Sequence, residues 1–353
     1  MLEIKHTLCP SCSVGCGINV ILNDGEIVGT FPYKRHPVNA GKNCLNGRNS
    51  IESYQNKFQK ALVAKSETDV EKAIEDVIKE LNSANSSDVT VICSGNNSIE
   101  EINAIKEFSE SKDYNIAFYA DNLKDFSEVA SYDDIENAKK VFVIGDILYE
   151  NPLIGRRIVH AKQNGAEIYA LGKSEESVTF NIADETFIES VSEFIDGADI
   201  DGDSVVVFNY VDSQEDLEKL SDVDCKVLPV YSKSNSKGTL NLVDVKSKDE
   251  MIDLLSKTKL LLVFNDDVVN EFDFDFKSIS QVIAFSPSKN DTTEVSDAVI
   301  PIKSWLEYDG SFTNAEGLTQ EFGSVCESDK MGIVEIIEKI NGDLEWFYEL
   351  YFS

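Results

Sequence analysis

The sequence lacks a long apolar run, a recognisable leader and an excess of positive charge. No stretch of about eighteen apolar residues occurs in the 353-residue chain, so no membrane-spanning helix is expected. The start, MLEIKHTLCP, has neither the basic nor the apolar region of a signal peptide. Lys and Arg number 32 against 64 Asp and Glu, a formal charge of −32, whereas nucleic acids and anionic membranes require positive surface. We therefore expect a cytoplasmic protein without a nucleic-acid partner and without membrane insertion.

Histidines and nucleotide-binding patterns are also scarce. The three histidines are His6, His36 and His160. His6 and His36 flank the cysteine-rich start of the chain, where hydrogen bonding is expected rather than catalysis, and His160 falls in a predicted helix as a surface or packing residue. Gly145-Asp146 follows a predicted strand, but no G-x-G-x-x-G pattern follows it, so dinucleotide binding is not favoured.

The seven cysteines are distributed unevenly. Four lie within the first fifty residues in the pattern C-x2-C-x3-C-x27-C, namely Cys9, Cys12, Cys16 and Cys44. The others, Cys93, Cys225 and Cys326, are scattered, which favours a reducing compartment and a metal site over a disulfide framework. Three thiols within eight residues, joined by a fourth after an intervening hairpin, can converge on one soft metal. Four thiolates suit either an iron–sulfur cluster or structural zinc.

Charge is divided between the start and the remainder of the chain. Residues 1–60 hold seven basic and four acidic residues, a balance of +3, and the remainder holds 25 basic and 60 acidic residues, a balance of −35. A cluster held by four thiolates is anionic, and a locally basic module would offset that charge. Chance within a generally acidic composition is the alternative explanation.

The rest of the chain alternates between apolar runs and amphipathic stretches. This alternation predicts an α/β fold with parallel sheets. Buried strands are predicted at 89–93, 115–120, 141–145, 167–171, 204–210, 226–231, 260–266 and 281–286. A helix is predicted over 68–81, with Thr68 as its cap and Glu71 completing a capping box. An Asn-Asp-Gly turn at 23–25 predicts a hairpin in the cysteine-rich region.

Several segments resemble the molybdopterin oxidoreductase superfamily, and within it the alpha subunit of archaeal formate dehydrogenase. CPSCSVGCG and residues 28–48 are similar to that family's cluster-binding start, residues 134–172 to the opening of its third domain, and residues 285–322 to the return to its second domain. The resemblance implies a small N-terminal [4Fe–4S] module followed by two interleaved, doubly wound α/β domains. It places the module at 1–52, a discontinuous domain at 53–132 and 240–353, and an inserted domain at 133–239.

By this resemblance, Cys9, Cys12, Cys16 and Cys44 would ligate one [4Fe–4S] cluster, with zinc as the alternative. The chain departs from the family elsewhere. Asn46 stands where family enzymes usually place a lysine between cluster and pterin, and no cysteine occurs between Cys93 and Cys225. Asp121 could ligate molybdenum, a solvated loop aspartate being the alternative. The chain also ends at Ser353, before the family's C-terminal barrel domain.

These features predict an electron-transfer subunit of a formate-dehydrogenase-like oxidoreductase complex, with no catalytic residue of its own to name. Its expected partners are a flavin- or deazaflavin-dependent subunit or another iron–sulfur protein of an anaerobic archaeon. Two alternatives remain open. One is a short formate dehydrogenase or formylmethanofuran dehydrogenase subunit that keeps a molybdenum or tungsten pterin. The other is a scaffold whose four cysteines hold zinc.

Overall fold

The computed structural model describes residues 1–120, 124, 126 and 128–352, without the side chains of residues 53 and 343–352. Asp121 lies outside the described residues. Within them, no helix is both long and apolar enough to cross a bilayer. The secondary structure is mixed α/β with parallel sheets, as the alternating pattern predicts.

The N-terminal residues form a three-stranded antiparallel sheet in the order β1-β2-β3, followed by two short helices. Their bounds are β1 (Leu2–Leu8), β2 (Gly17–Asn23), β3 (Glu26–Pro32), α1 (Leu45–Asn49) and α2 (Glu52–Gln55). The predicted turn is confirmed, with Asp24 and Gly25 at φ of 51° and 85°, values that favour Asp and Gly in a tight hairpin. Strand β1 was not predicted, because most of its residues are exposed and its pairing with β2 stabilises it.

The next residues begin the larger α/β sheet. They form β4 (Ala61–Val63), β5 (Ser66–Thr68), α3 (Val70–Ser83), β6 (Val89–Ile92), α4 (Ile99–Ser111) and β7 (Asn115–Ala117). The predicted cap of α3 was wrong. Asp69 is the cap, its carboxylate accepting from Glu71 N, while Thr68 pairs with Ala61 in the β4–β5 hairpin. Asp and Thr both suit the position, and the hairpin register selects Asp69.

A second sheet interrupts the first in sequence. Its elements are α5 (Tyr132–Asn137), β8 (Lys140–Ile144), α6 (Ile147–Glu150), α7 (Pro152–Gln163), β9 (Glu167–Leu171), β10 (Glu185–Phe187), α8 (Val191–Gly197), β11 (Ser204–Phe208), α9 (Gln214–Asp222) and β12 (Lys226–Pro229). The five strands are parallel in the order β10-β9-β8-β11-β12. The order reverses between β8 and β11, and such a switch point is where doubly wound sheets bind ligands.

The chain then returns to the first sheet and adds a hairpin and a final helix. The elements are α10 (Ser236–Leu240), α11 (Lys248–Lys257), β13 (Leu260–Phe264), β14 (Gln281–Ser286), α12 (Asp291–Val295), β15 (Ala298–Pro301), β16 (Gly310–Thr313), β17 (Thr319–Phe322) and α13 (Ile333–Phe352). The seven-stranded order is β5-β4-β15-β14-β13-β6-β7. Its parallel part reverses between β6 and β13, which creates a second switch point.

The apolar runs explain why these strands lie inside. All residues of β6, β11 and β13 are buried, as expected for parallel strands covered on both faces. The strands of the seven-stranded sheet come from both sides of the segment that forms the five-stranded sheet. The domain division at 1–52, 53–132 with 240–353, and 133–239 stays a prediction.

Candidate functional site

The four N-terminal cysteines are positioned by one hairpin and one helix end. Cys9 follows β1 and Cys16 precedes β2, and because Leu8 pairs with Gly17 the two cysteines face each other across the hairpin end. The Cys9 N–H donates to the Cys16 carbonyl at 2.8 Å. Cys12 lies in the loop between them, and Cys44 caps α1, its Sγ accepting from Gly47 N at 3.3 Å. Cys44 is at least 28 positions from the other three cysteines in the chain, and the fold brings it next to them.

All four cysteines line one narrow cavity, together with Asn43, Asn151 and the start of α7. Cys9 and Cys16 are buried, and Cys12 and Cys44 are partly exposed. The other three cysteines lie elsewhere: Cys93 follows β6, Cys225 precedes β12, and Cys326 contacts Tyr54. Within the described part of the chain, no group of three or more His, Cys, Asp or Glu is arranged to hold a single metal ion.

The cavity is lined with hydrogen-bond donors for sulfur. Gly47 N donates to Cys44 Sγ at 3.3 Å, and Ser11 and Asn151 line the same cavity and partly offset the rise in the pKa of Cys9 and Cys12. The side-chain Nδ2 of Asn43 is buried there without a partner among the described residues. Four thiols surrounded by donors fit an iron–sulfur cluster, whose thiolates and sulfides accept such bonds. That these four cysteines are the ligands stays a prediction.

Burial sets the protonation of the thiols. It raises the pKa of Cys9, raises that of Cys16 well above its usual range, and together with the nearby Cys9 raises that of Cys12 to about 12. Without a metal these groups are therefore neutral thiols at neutral pH. A metal would have to displace their protons, since the thiolate is the ligand.

The cysteine loop is fixed to the rest of the molecule through Ser13. This residue is fully buried. Its N–H donates to the Tyr231 carbonyl at 3.1 Å, its carbonyl accepts from Ala315 N at 2.7 Å, and its hydroxyl accepts from Tyr231 N at 2.8 Å. The loop therefore packs on residues that follow β12 and on the β16–β17 hairpin. Ser13 could not be predicted from the sequence, because its partners lie more than 200 residues away.

Arg157 and His36 also join the N-terminal module to its surroundings. Arg157 of α7 donates to the Val38 carbonyl at 3.0 Å and forms an ion pair with Glu136 at 2.8 Å. His36 Nδ1 accepts from Gly17 N at 3.1 Å, and burial lowers its pKa. His36 is thus a neutral acceptor for the backbone beside Cys16.

The remaining histidines have structural neighbours as well. His6 stacks on Tyr33, with ring centroids 4.1 Å apart, and hydrogen-bonds Asn19. His160 lies on α7 and faces Glu136 at 3.2 Å. Neither lines the cysteine cavity.

Three open clefts lie near the cavity, of which the central cleft and the β6–β13 crevice share lining residues with it and the third borders the central cleft. The central cleft, about 460 Å³, is lined by Cys12, Cys44, Asn46, Tyr149 and Glu150 among others. The β6–β13 crevice, about 650 Å³, lies at one switch point and contains Asn96, Asn265 and Asp266. The β8–β11 crevice, about 380 Å³, lies at the other switch point and contains Gly145, Asp146 and Asn209. The cysteine cavity therefore lies next to the strand ends where ligands bind in open α/β sheets.

The charge of these clefts opposes an anionic ligand. The carboxylates on the β6–β13 crevice are those of Glu52, Asp266 and Asp267, and no Lys or Arg lines it among the described residues. The central cleft carries Glu150 and no basic side chain in the same part of the chain. Lys173, at the β8–β11 crevice, lies over the Tyr210 ring at 4.1 Å. A pterin phosphate would therefore find no cationic side chain on the lining of the first two clefts.

Sequence comparisons agree with this arrangement. Residues 2–56 match the molybdopterin oxidoreductase Fe4S4 domain. The chain is 31% identical over 191 residues to an F420-dependent formate dehydrogenase alpha subunit of Methanococcus maripaludis, and 30% identical over 195 residues to that of Methanocaldococcus jannaschii. Each match covers 48% of this chain and 28% of the relative. The chain thus aligns with well under half the length of these relatives.

Solved structures show the same fold. Acetylene hydratase from Pelobacter acetylenicus superposes with a TM-score of 0.65 at 12% identity, covering 97% of this chain and 70% of its own. A chain of the formyltransferase/hydrolase complex of Methylorubrum extorquens, solved with methylofuran, gives 0.54 at 12% identity, covering 81% and 99%. The resemblance to molybdopterin oxidoreductases expected from the sequence is confirmed, and the N-terminal domain supports a [4Fe–4S] cluster.

Proposed function

We propose that this chain is an electron-transfer subunit of a formate-dehydrogenase-like complex, with Cys9, Cys12, Cys16 and Cys44 ligating one [4Fe–4S] cluster. The observation that carries the proposal is the single cavity on which all four cysteines converge. A bound cluster of this kind takes up and releases one electron. The protein's own residues would hold it, exclude water from it and surround its sulfurs with donors.

The burial of the site supports electron transfer over a short distance to a partner. Cys9 and Cys16 are on the inner side, whereas Cys12 and Cys44 border the open central cleft. Leu45 and Tyr149 at this cleft are exposed apolar side chains, at 69% and 71%. A redox partner docked here would approach the cluster from its less buried side. The relatives are alpha subunits of F420-dependent enzymes, so the partner we propose is a flavin- or deazaflavin-dependent subunit or another iron–sulfur protein.

Two features support a subunit without a complete active site of its own. Asn46, not lysine, stands two residues after Cys44 and lines both the central cleft and the β6–β13 crevice. No Lys or Arg lines either cleft among the described residues, so a phosphate-bearing pterin would find no cationic side chain there.

The test is anaerobic purification of the chain with iron, acid-labile sulfide, zinc, molybdenum and tungsten quantified together. We expect about four irons and four sulfides per chain, as the [4Fe–4S] composition requires, and an electron paramagnetic resonance signal after reduction. About one molybdenum or tungsten per chain, with pterin released on denaturation, would instead support the pterin-retaining enzyme. About one zinc in colourless protein would support the scaffold.

A further inference from the structure

We infer that the side-chain amide of Asn43 donates a hydrogen bond to a sulfur of the cluster and so raises its reduction potential. The inference rests on the proposed cluster and deepens it. It makes Asn43, which neither the spacing of the cysteines nor their chemistry identifies, a positioning residue for the redox centre.

The first observation is an unsatisfied donor. Asn43 Nδ2 is buried, has no hydrogen-bond partner among the described residues, and belongs to a residue on the wall of the four-cysteine cavity. An amide nitrogen carries two N–H donors and no acceptor. Burial of such a group without a partner is destabilising. A ligand in the cavity that accepts hydrogen bonds would remove this cost. The occupant proposed for this cavity presents sulfurs of that character.

The second observation is that the carboxamide of Asn43 lies close to Gly47 and to the sulfur of Cys9. A Cβ added at Gly47 would lie 2.2 Å from Asn43 Oδ1 and 3.4 Å from Cys9 Sγ. The carboxamide of Asn43 and the sulfur of Cys9 therefore border the same side of Gly47, where only glycine leaves room for both. Gly47 is itself tied to the site, since its N–H donates to Cys44 Sγ. The carboxamide thus lies near the Cys9 sulfur and beside the residue that donates to Cys44.

The third observation is that the cavity already directs a donor at sulfur. Gly47 N donates to Cys44 Sγ at 3.3 Å. Asn43 Nδ2 is a second donor at the same cavity, and it has no acceptor among the described residues. Reduction adds one negative charge to a cluster, so a hydrogen bond to sulfur stabilises the reduced form more than the oxidised form. Loss of the donor should shift the potential in the negative direction.

The test is a potentiometric titration of the holoprotein, followed by electron paramagnetic resonance, for wild type, Asn43→Leu and Asn43→Asp. Both substitutions remove the donor at nearly constant size, and the second also adds a negative charge. We expect the ratio of reduced to oxidised cluster at a fixed potential to fall about three- to tenfold in Asn43→Leu, and further in Asn43→Asp. Asn49→Leu is the matched control, since exposed Asn49 lies on α1 away from the cysteine cavity, and its ratio should equal that of wild type.

The outcomes separate the two proposals. Wild-type protein without iron overturns the proposed function. Iron-loaded variants that titrate like wild type overturn the role of Asn43 and leave the cluster intact. If both variants lose iron, pulsed electron paramagnetic resonance of reduced wild type labelled with ¹⁵N-asparagine decides. A side-chain nitrogen coupled to the cluster supports the hydrogen bond, and its absence excludes it.

Discussion

The cysteine cavity and the β6–β13 crevice lie side by side, but they differ in how many of their polar groups have hydrogen-bond partners. In the cavity, four thiols and the Asn43 amide face a shared space without protein partners for all of them. In the crevice, Asn96 and Asn265 exchange side-chain-to-backbone hydrogen bonds at 3.3 and 3.4 Å. Asp266 is paired with Lys233 at 2.6 Å. The exception at the crevice is the Trp305 indole N–H, which is buried without a partner among the described residues.

The difference indicates where a cofactor is needed. Unsatisfied buried donors and thiols are costly in an empty fold and become favourable when a metal cluster fills the space. Polar groups that already satisfy one another hold their strand ends in place without a ligand. The cysteine cavity therefore has buried polar groups that the proposed cluster would satisfy, whereas several polar groups of the β6–β13 crevice already satisfy one another.

The largest expected effect is the loss of bound iron when one of the four cysteines is replaced. Cys44→Ala removes a ligand that the proposed cluster cannot replace, so we expect loss of nearly all bound iron and of the reducible signal. Cys225→Ala, at the distant end of β12, should retain both. The measurement is iron per chain after anaerobic purification. Retention of electron transfer in the Cys44 variant would reveal a second redox centre.

The next effect concerns the buried ion pair of the crevice. The Lys233 and Asp266 side chains are only 13% and 5% exposed, and Asp266→Asn leaves the lysine with Glu271 as its remaining partner. We expect the free energy of unfolding to fall by about 3 kcal/mol, the lower end for a broken buried pair, while iron content stays unchanged. Urea denaturation under anaerobic conditions measures it. Glu67→Gln, which breaks the exposed pair with Lys60, should have no measurable effect.

A pH-dependent effect of similar size is expected at the start of α4. Burial raises the pKa of Glu101 to about 7, although its carboxylate accepts from Ser98 N at 2.9 Å and Tyr308 OH at 3.1 Å. The folded state therefore holds this proton more tightly than the unfolded chain, whose pKa is about 4.5. The stabilisation is complete below about pH 4.5 and is lost as the pH rises through about 7.

The comparison of wild type with Glu101→Gln isolates this effect. Glutamine keeps the capping-box geometry and does not titrate. The difference between their free energies of unfolding should change by on the order of 3 kcal/mol from pH 4.5 to 8, with wild type losing stability. If the free energies of unfolding of wild type and Glu101→Gln change equally with pH, Glu101 is not protonated in the folded state near neutral pH.

The smallest expected effect is on the free energy of unfolding when a glycine of the cysteine loop is replaced. Gly15 has φ of 75°, and an added Cβ would lie 2.1 Å from Gln320 Oε1. Gly25 has φ of 85° but nothing within 4 Å of the added atom. We expect Gly15→Ala to lower the free energy of unfolding by about 2 kcal/mol and Gly25→Ala by about 1 kcal/mol. Equal losses in thermal or urea unfolding would indicate that contact with Gln320 is easily relieved.

Much of the fold was predictable because its signals are local. The apolar runs at 167–171 and 281–286 became strands with those bounds, since parallel strands covered on both faces must be apolar throughout. Strand β1 and the hairpin of β16 and β17 were not predicted. Their stability comes from pairing with neighbours, and their own residues carry little pattern. The cap of α3 was misplaced by one residue for the same reason.

The candidate site was predictable only in part. The spacing of Cys9, Cys12, Cys16 and Cys44 indicated one soft-metal site, because thiols so close in sequence have few other uses in a reducing compartment. Asn43, Ser13 and Asn151 were missed. Their partners or neighbours at the site lie at distant positions in the chain, and an isolated polar residue next to a cysteine carries no signal of its own.

The sequence by itself determined the chemistry of this protein: four thiols in a cluster-binding pattern, an acidic surface and alternating α/β elements. Only the tertiary structure decided which groups surround those thiols. It places the β6–β13 crevice next to the cysteine cavity, pairs polar groups of that crevice with each other, and leaves Asn43 Nδ2 without a partner among the described residues. The physical reason is that ligand type is a property of single residues, whereas satisfaction of a buried donor depends on every chain segment packed around it.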